Sequence, residues 1–241
     1  MKRINSIIFF AFIILITGCS EDAMVCSVNP FYLDKNVVYI PEIAGYWSAK
    51  PIYPDSINED YKNPWEDTDT NSVWSITRPT VIVNPEYPSE TDTAVIYPYR
   101  NYILTLKKPK DSIYYRFHLT LFKIENTLYA DFLPNIIPTI EKSTLLRESI
   151  NNGYHTLARV EMNDSLLILT WLSGYSMAEM IANKRVRTEF MWDAQRERFI
   201  SIILTSNSKE LTFMIQRYFN QKRFIDWTNQ PAMIKLVKNK N

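Results

Sequence analysis

The sequence is poor in glycine, cysteine and histidine. Only four glycines, two cysteines and two histidines occur in 241 residues. Loops that cradle phosphate groups need clustered glycines, and zinc sites need three or four ligands with local spacing. The G-x-S-x-G motif of a nucleophile elbow does not occur either. The sequence therefore offers no recognisable nucleophile, metal site or cofactor site, and no cofactor is expected.

The sequence also lacks a basic cluster with interleaved aromatic residues, which is the usual footprint of nucleic-acid binding. Its 27 basic side chains nearly balance its 26 acidic ones. By contrast, 46% of the chain is apolar and 14% is aromatic. This is enough for one sizeable domain that is stabilised by a core, and no nucleic-acid partner is expected.

The longest uninterrupted apolar run lies close to the N-terminus. Residues 7–16 follow the positive Lys2-Arg3 and precede the small Thr17-Gly18. This order is typical of a secretory signal peptide. Ten residues of helix rise about 15 Å, which is about half of the hydrocarbon core of a bilayer, so the run is too short to span a membrane.

The cysteine after this run is part of a recognisable pattern. Ile16-Thr17-Gly18-Cys19 resembles the lipobox of bacterial lipoproteins, and the resemblance implies that residues 1–18 are removed and that Cys19 carries acyl chains such as palmitate. The alternative is an ordinary secretory signal with an incidental cysteine. Ser20-Glu21-Asp22 is similar to the acidic export tag of Bacteroidota surface lipoproteins, which implies a lipid anchor in the outer membrane and a surface-exposed protein.

Three parts of the chain follow from this pattern. We expect a signal peptide over residues 1–18, a tether over 19–36 and one β domain over 37–241. If Cys19 is lipidated, Cys26 is the remaining thiol, and no disulfide framework supports the fold. Cys26 then is either a buried thiol near the tether or a reactive or intermolecular one.

Alternating apolar and polar residues dominate the chain from Tyr102 onward. The segment SIYYRFHLTLFKI alternates with a period of two and predicts a strand of about ten residues. Further strands are predicted at 128–133, 155–162, 165–171, 185–192 and 199–205. Turns are expected at Glu125-Asn126, at Asn163-Asp164 and after Asp193.

Three helices are predicted among these strands. They cover residues 141–152, residues 177–183 and a C-terminal stretch that follows Asn207. Asn207 and Glu210 have the spacing of a capping box, and apolar residues recur behind them with helical periodicity. The C-terminal helix is expected to pack on the sheet.

A short motif at the start of the β-rich region indicates the type of fold. Gly45-Tyr46-Trp47 resembles the G-x-W signature on the first strand of lipocalins, in which the Trp closes one end of an eight-stranded barrel. Residues 91–97 are similar to the second lipocalin motif but come earlier than in that family. The resemblance implies a mainly β fold, either a lipocalin-like antiparallel barrel or a sandwich of about eight or more strands with a few short helices, and barrel-closing roles for Gly45 and Trp47.

The few residues that could carry out acid or base chemistry lie on predicted strands. His118 and His155 are candidate bases or ligands, although isolated histidines are usually solvated or bonded to a neighbour. The strand-borne acids Asp131, Glu161 and Glu189 could converge as the paired carboxyls of a glycosidase.

Aromatic residues crowd the acidic, proline-rich part of the chain. Exposed aromatics on loops stack on sugars or bury in partner surfaces, whereas the alternative for the same residues is core packing. The candidate binding residues are Trp65, Trp74, Tyr97, Tyr99 and Tyr102.

Four Asp-Ser/Thr-aliphatic sites resemble the O-glycosylation acceptors of exported Bacteroidota proteins. Turn chemistry ahead of a strand is the alternative explanation for these sites. The candidate acceptors are Ser56, Thr93, Ser112 and Ser165.

These observations favour a membrane-anchored lipoprotein with a non-enzymatic barrel that binds an envelope protein, a glycan or a small apolar ligand. Two alternatives remain open, an envelope enzyme that acts on glycans through strand-borne carboxylates and a structural subunit of an envelope complex. An open apolar cavity would favour ligand binding. A lumen filled by side chains would favour the structural subunit, and two carboxyls about 5 to 10 Å apart in a cleft would favour the enzyme.

Overall fold

The computed structural model describes residues 24–52, 73–78, 101–107, 114–134, 153–174, 177, 180, 187–193, 198–230 and 232–239. These residues contain eleven strands, which are β1 (Met24–Ser27), β2 (Gly45–Ile52), β3 (Val73–Thr77), β4 (Asn101–Lys107), β5 (Tyr114–Ile124), β6 (Thr127–Pro134), β7 (His155–Met162), β8 (Leu166–Trp171), β9 (Thr188–Asp193), β10 (Arg198–Leu204) and β11 (Met233–Lys238). A short helix, α1 (Ser208–Met214), continues into a π-helical turn at Ile215–Phe219. Single 3₁₀ turns occur at Asp34–Asn36, Pro41–Ile43 and Trp227–Asn229.

Eight of the strands close into an antiparallel barrel. Their order is β2, β3, β4, β5, β6, β7, β8 and β11, and β11 pairs with β2 to complete the ring. All eight contribute apolar side chains to one buried core inside the barrel. The predicted mainly β, lipocalin-like barrel is therefore confirmed, and the sandwich alternative is not what forms.

The period-two pattern explains which side chains fill the barrel. On β5, Phe117, Leu119 and Leu121 point into the lumen core, while Phe122 and Ile124 belong to a second core outside it. Both hairpin turns that the sequence predicts within the described residues are present, one at Glu125-Asn126 and one at Asn163-Asp164. In the second turn Asn163 Oδ1 accepts hydrogen bonds from the backbone N–H groups of Ser165 and Leu166.

Three further strands extend the sheet from β7. At its first residues, β7 pairs with β1 through Thr156 and Cys26, and from Ala158 onward it pairs with β8 instead. Strand β10 runs parallel to β1, and β9 is antiparallel to β10. The sheet therefore branches at β7 into the barrel and a three-stranded extension.

The N-terminal strand changes the expected domain boundary. We expected residues 19–36 to be a tether, but Met24–Ser27 form β1 between β7 and β10, and Phe31 is fully buried. Cys26 is buried on β1 and forms no disulfide within the described residues. The difference arises because a four-residue strand carries almost no periodicity and its β10 partner lies far along the chain. Only residues 20–23 lie between Cys19 and the first residue of β1.

Helix α1 begins as the sequence predicts. Asn207 Oδ1 accepts from the N–H of Glu210 at 3.0 Å, and the Glu210 carboxylate accepts from the N–H of Asn207 at 3.3 Å, so the capping box is confirmed. Its buried residues pack against outward-facing side chains of the barrel to form the second core, whose members include Leu211, Met214, Ile215, Phe122, Tyr129 and Leu157.

The other two predicted helices fall largely outside the described residues. Residues 141–152 are not among them, and of 177–183 only Met177 and Met180 are described, both of which are buried. The strand that was expected at 185–192 is observed as Thr188–Asp193. In the described part of the chain, no helix is long and apolar enough to cross a bilayer.

Candidate functional site

One end of the barrel is covered by the segment that leads into β2. In this closing segment, residues 37–44, the N–H of Val38 donates to Leu121 O at 2.9 Å, and Ile43 is buried in the lumen core. Tyr102 on β4 attaches it to the wall, because its hydroxyl donates to the carbonyl of Ile40 at 2.8 Å and accepts from the N–H of Ile40 at 2.9 Å. Burial raises the pKa of Tyr102 above its ordinary value, so this hydroxyl stays protonated.

The two residues of the G-x-W motif lie at this closed end. Trp47 is fully buried, and its indole N–H donates to Ile43 O at 3.0 Å. Lys238 at the end of β11 donates to Glu42 O at 2.7 Å and lies 5.2 Å from the centre of the Trp47 ring. Gly45 has φ +140, and a Cβ there would lie 3.2 Å from Lys238 Cε. The structure thus places Gly45 and Trp47 where β2, β11 and the closing segment meet.

The lumen is filled by side chains. Trp47, Trp74 and Trp171 project into it and are at most 1% exposed. Phe132 packs on Trp171 with ring centres 5.1 Å apart, and Phe117 meets Phe132 edge to face at 6.3 Å. Aromatic side chains of this size bury large areas and fill the interior of a small barrel.

The two candidate binding aromatics among the described residues are buried in the barrel. Trp74 and Tyr102 are on strands β3 and β4 and are 0% exposed, which is the packing alternative rather than the expected loop surface. Tyr102 stacks on Tyr39 with ring centres 5.7 Å apart. The other three residues, Trp65, Tyr97 and Tyr99, lie outside the described residues.

The three strand-borne acids lie far apart. Asp131 is opposite Leu157 on β7, and Glu161 follows four residues later, which is about 13 Å along the strand. Glu189 lies on β9, three strands beyond β7, or about 14 Å across the sheet. Their Cα positions therefore do not suit the 5 to 10 Å carboxyl pair of a glycosidase.

One of these acids instead forms a buried polar cluster with a histidine. Asp131 is 2% exposed and His155 is 12% exposed, and the Asp131 Oδ1 to His155 Nδ1 distance is 2.6 Å. The second oxygen of Asp131 accepts from the N–H of Phe31 at 2.9 Å. The cluster lies on the outer wall of the barrel and attaches the N-terminal segment to it.

Among the described residues, the hydroxyl that lies opposite this histidine bonds elsewhere. Ser27 is opposite His155 in the β1–β7 register, but its hydroxyl donates to Leu204 O at 3.2 Å. Tyr32 accepts a hydrogen bond from Thr120 Oγ1 at 3.4 Å. Burial, followed by the charges of Asp131 and Asp34, raises the pKa of Tyr32. The arrangement is that of a structural clamp.

His118, the other candidate base, lies on β5 opposite Leu133. Burial and then the positive charge of Arg116 lower the pKa of His118 below its ordinary value, which favours the neutral imidazole. Within the described residues no group of three His, Cys, Asp or Glu side chains could hold a metal ion.

Only one candidate glycosylation site lies in the described chain. Ser165 is exposed in the β7–β8 turn, and its N–H donates to Asn163 Oδ1 at 3.1 Å. This hydrogen bond is the turn chemistry that is the alternative explanation for the site, and Ser165 is exposed. The other three, Ser56, Thr93 and Ser112, lie outside the described residues.

A surface groove of about 510 Å³ lies at the end of the barrel that the closing segment covers. We call it the closed-end groove. It lies between the closing segment, the β5–β6 hairpin and the β7–β8 hairpin. Its apolar lining comes from Ile40, Leu128, Val160 and Met162, and its charged lining includes Glu42, Lys123, Arg159, Glu161 and Asp164.

Neither the clamp nor the closed-end groove was predicted from the sequence. Each brings together residues from different elements. Asp131 and His155 lie on the consecutive strands β6 and β7, but the segment between these strands is too long for the sequence to predict their register. The presence of Asp131 at an outward position of a strand rich in apolar residues was the only available signal, because a buried carboxylate needs a partner.

Comparison with known proteins gives no relative. No family model matches the chain, no curated protein matches it, and no solved structure matches its fold.

Proposed function

We propose that this chain is a lipoprotein, anchored in the outer membrane through acyl chains on Cys19, whose barrel is a non-enzymatic module that binds a protein partner of the cell envelope. The filled lumen carries this proposal. Three tryptophans that are at most 1% exposed occupy the space that an apolar ligand would need, so binding takes place on the outside of the barrel.

The start of the fold fits an anchor at position 19. Strand β1 begins at Met24, and the five residues 19–23 span at most about 18 Å when fully extended. A lipidated Cys19 would therefore hold the domain close to the bilayer. Ser20-Glu21-Asp22, which resembles a surface export tag, places the protein on the outer face in this proposal.

The geometry gives less support to the enzymatic alternative. The acids that could act as a pair lie on different parts of the sheet, and the buried Asp131 is bonded to His155 and to the N–H of Phe31. Ser27 beside His155 donates its proton to a backbone carbonyl. A subunit of an envelope complex, by contrast, needs only a stable body and an outer binding surface.

The anchor is tested by labelling cells with an alkyne analogue of palmitate. We expect label on the wild-type protein and on Cys26→Ala, and none on Cys19→Ala, which should also leave the membrane fraction. Cys26→Ala is the matched control because it removes the other thiol of the chain. Label that persists on Cys19→Ala, or that is absent from the wild type, would contradict the proposed anchor.

The partner is tested on the same cells by surface labelling, cross-linking and purification of the native acylated protein, followed by mass spectrometry. We expect the protein to carry surface label and to bring down a defined envelope protein in stoichiometric amount. Recovery without surface label and without a partner would remove the proposed function.

A further inference from the structure

The apolar residues that line the closed-end groove belong to the interior of the barrel or pack against it. Leu128 and Val160 are opposite each other in the β6–β7 register. Val160 belongs to the lumen core, and Leu128, Met162 and Ile40 pack against that core. The floor of the groove is therefore apolar and continuous with the interior of the barrel.

The charges at the rim come from different walls. Lys123 lies near the end of β5, whereas the carbonyl of Glu42 is bonded to Lys238 at the end of β11. Because β5 and β11 are four strands apart in a ring of eight, Lys123 and the backbone of Glu42 are attached to opposite sides of the barrel. Asp164 lies in the turn between β7 and β8.

The rim charges are available to a ligand. Arg159 pairs with Glu161 at 3.3 Å, but within the described ranges neither Glu42, Lys123 nor Asp164 forms an ion pair. A positive group is therefore attracted to the carboxylates of Glu42 and Asp164 and a negative group to Lys123, while Lys238 lies against the backbone of Glu42 and the Arg159–Glu161 pair lies beside them. Between these charges lies the apolar floor.

We propose that the closed-end groove binds a short peptide segment of a partner protein, in which an aliphatic side chain is flanked by one basic and one acidic residue. This assignment rests on the proposed function and adds to it the surface that binds the partner. The aliphatic side chain packs on Leu128, Val160 and Met162, and the flanking charges meet the opposite charges of the rim. An apolar centre with a polar rim is the usual anatomy of a protein interface, and about 510 Å³ is the size of a ligand site.

The test uses the full-length protein in detergent with methyl-labelled methionine. The probe is the capped tripeptide acetyl-Lys-Leu-Glu-amide, and the Met162 methyl signal is assigned with Met162→Leu. We expect the peptide to shift this signal saturably. The peptide with Ser in place of Leu should bind at least about tenfold more weakly, because it loses the burial of the aliphatic side chain.

Two variants test the rim. Glu42→Gln and Lys123→Gln should each weaken binding about two- to fivefold, as expected for the loss of one solvent-exposed charge pair. Lys50→Gln is the matched control, because Lys50 is exposed on β2 and does not line the groove, and it should leave the affinity unchanged. Circular dichroism of each variant checks that the fold is retained.

Several results would overturn the assignment. These are the absence of a saturable Met162 shift at millimolar peptide, equal binding by Glu42→Gln, Lys123→Gln and the wild type, and a shift produced by maltotriose but not by the peptide. The last result would identify a glycan site. If cells recover the envelope partner equally with the wild type and with the double variant Glu42→Gln/Lys123→Gln, the groove assignment fails while the proposed function stands.

Discussion

Replacement of Asp131 by alanine is the sharpest test of how the N-terminal segment is held. The carboxylate is 2% exposed and has two partners, Nδ1 of His155 at 2.6 Å and the N–H of Phe31 at 2.9 Å. The substitution removes the acceptor for both. It leaves a partly buried imidazole and a buried backbone N–H without the oxygen that they contact.

The expected loss can be worked out from these two contacts. Leaving a buried donor without its acceptor costs about 1–3 kcal/mol for each donor, so the loss of both contacts should cost about 2–5 kcal/mol. Asp131→Asn retains an oxygen that can accept from Phe31 but loses the negative charge, so we expect a smaller loss of about 1–3 kcal/mol. Glu161→Gln is the control. Glu161 is 56% exposed in its pair with Arg159, and such surface pairs contribute about 0–1 kcal/mol.

The assay is urea unfolding followed by circular dichroism, together with amide hydrogen exchange. Asp131→Ala should lower the unfolding midpoint far more than Glu161→Gln, and the Phe31 amide should lose protection. In a double-mutant cycle, Asp131→Asn and His155→Gln should be non-additive by at least about 0.5 kcal/mol. If Asp131→Ala costs no more than Glu161→Gln, or if the cycle is additive, the clamp does not hold the segment and the reasoning is refuted.

Three further predictions concern the barrel. Gly45→Ala should lower the free energy of unfolding by about 1–3 kcal/mol, because φ is +140 at Gly45 and alanine is strained there. Urea titration measures this loss, and a loss smaller than that of the exposed control Lys50→Ala would contradict the prediction. Lys238→Met should cost about 1–2 kcal/mol, since it removes the hydrogen bond to Glu42 O and the charge over Trp47, and an unchanged urea midpoint would argue against that contribution. Burial raises the pKa of Tyr129 above its ordinary value, so the folded state holds a proton that the unfolded chain releases near pH 10. The contribution of Tyr129 to the free energy of unfolding should therefore be fully present below about pH 10 and be lost as the pH rises above it. The free energy of unfolding should fall less steeply with pH in Tyr129→Phe, and equal slopes for the two proteins would exclude this origin.

Local patterns predicted many of the elements correctly. The strand expected at 155–162 is observed as His155–Met162, and the capping box at Asn207 and Glu210 begins α1. Both depend on residues that lie within one element, where alternation or a capping side chain is visible in the sequence. The turn at Asn163 is predictable for the same reason, since its side chain bonds the next residues of its own turn.

The sequence predicted less of the candidate site. Trp74 and Tyr102 were candidates for an exposed binding surface, yet both are buried in the barrel, since an aromatic residue on a strand has the same pattern whether it serves the core or a ligand. In the sequence, Asp131 and His155 are separate candidates, one as a paired carboxylate and the other as a base. Only their register on neighbouring strands, Asp131 beside Leu157, brings them together.

The sequence by itself determined the elements that short-range chemistry controls, namely the alternating strands, the hairpin turns and the start of the C-terminal helix. The tertiary structure decided which strands pair, that β1 inserts between β7 and β10, and that three tryptophans fill the lumen. The physical reason is that periodicity assigns each side chain to a face of its strand, whereas the register between strands depends on the simultaneous packing of residues that are far apart in the chain.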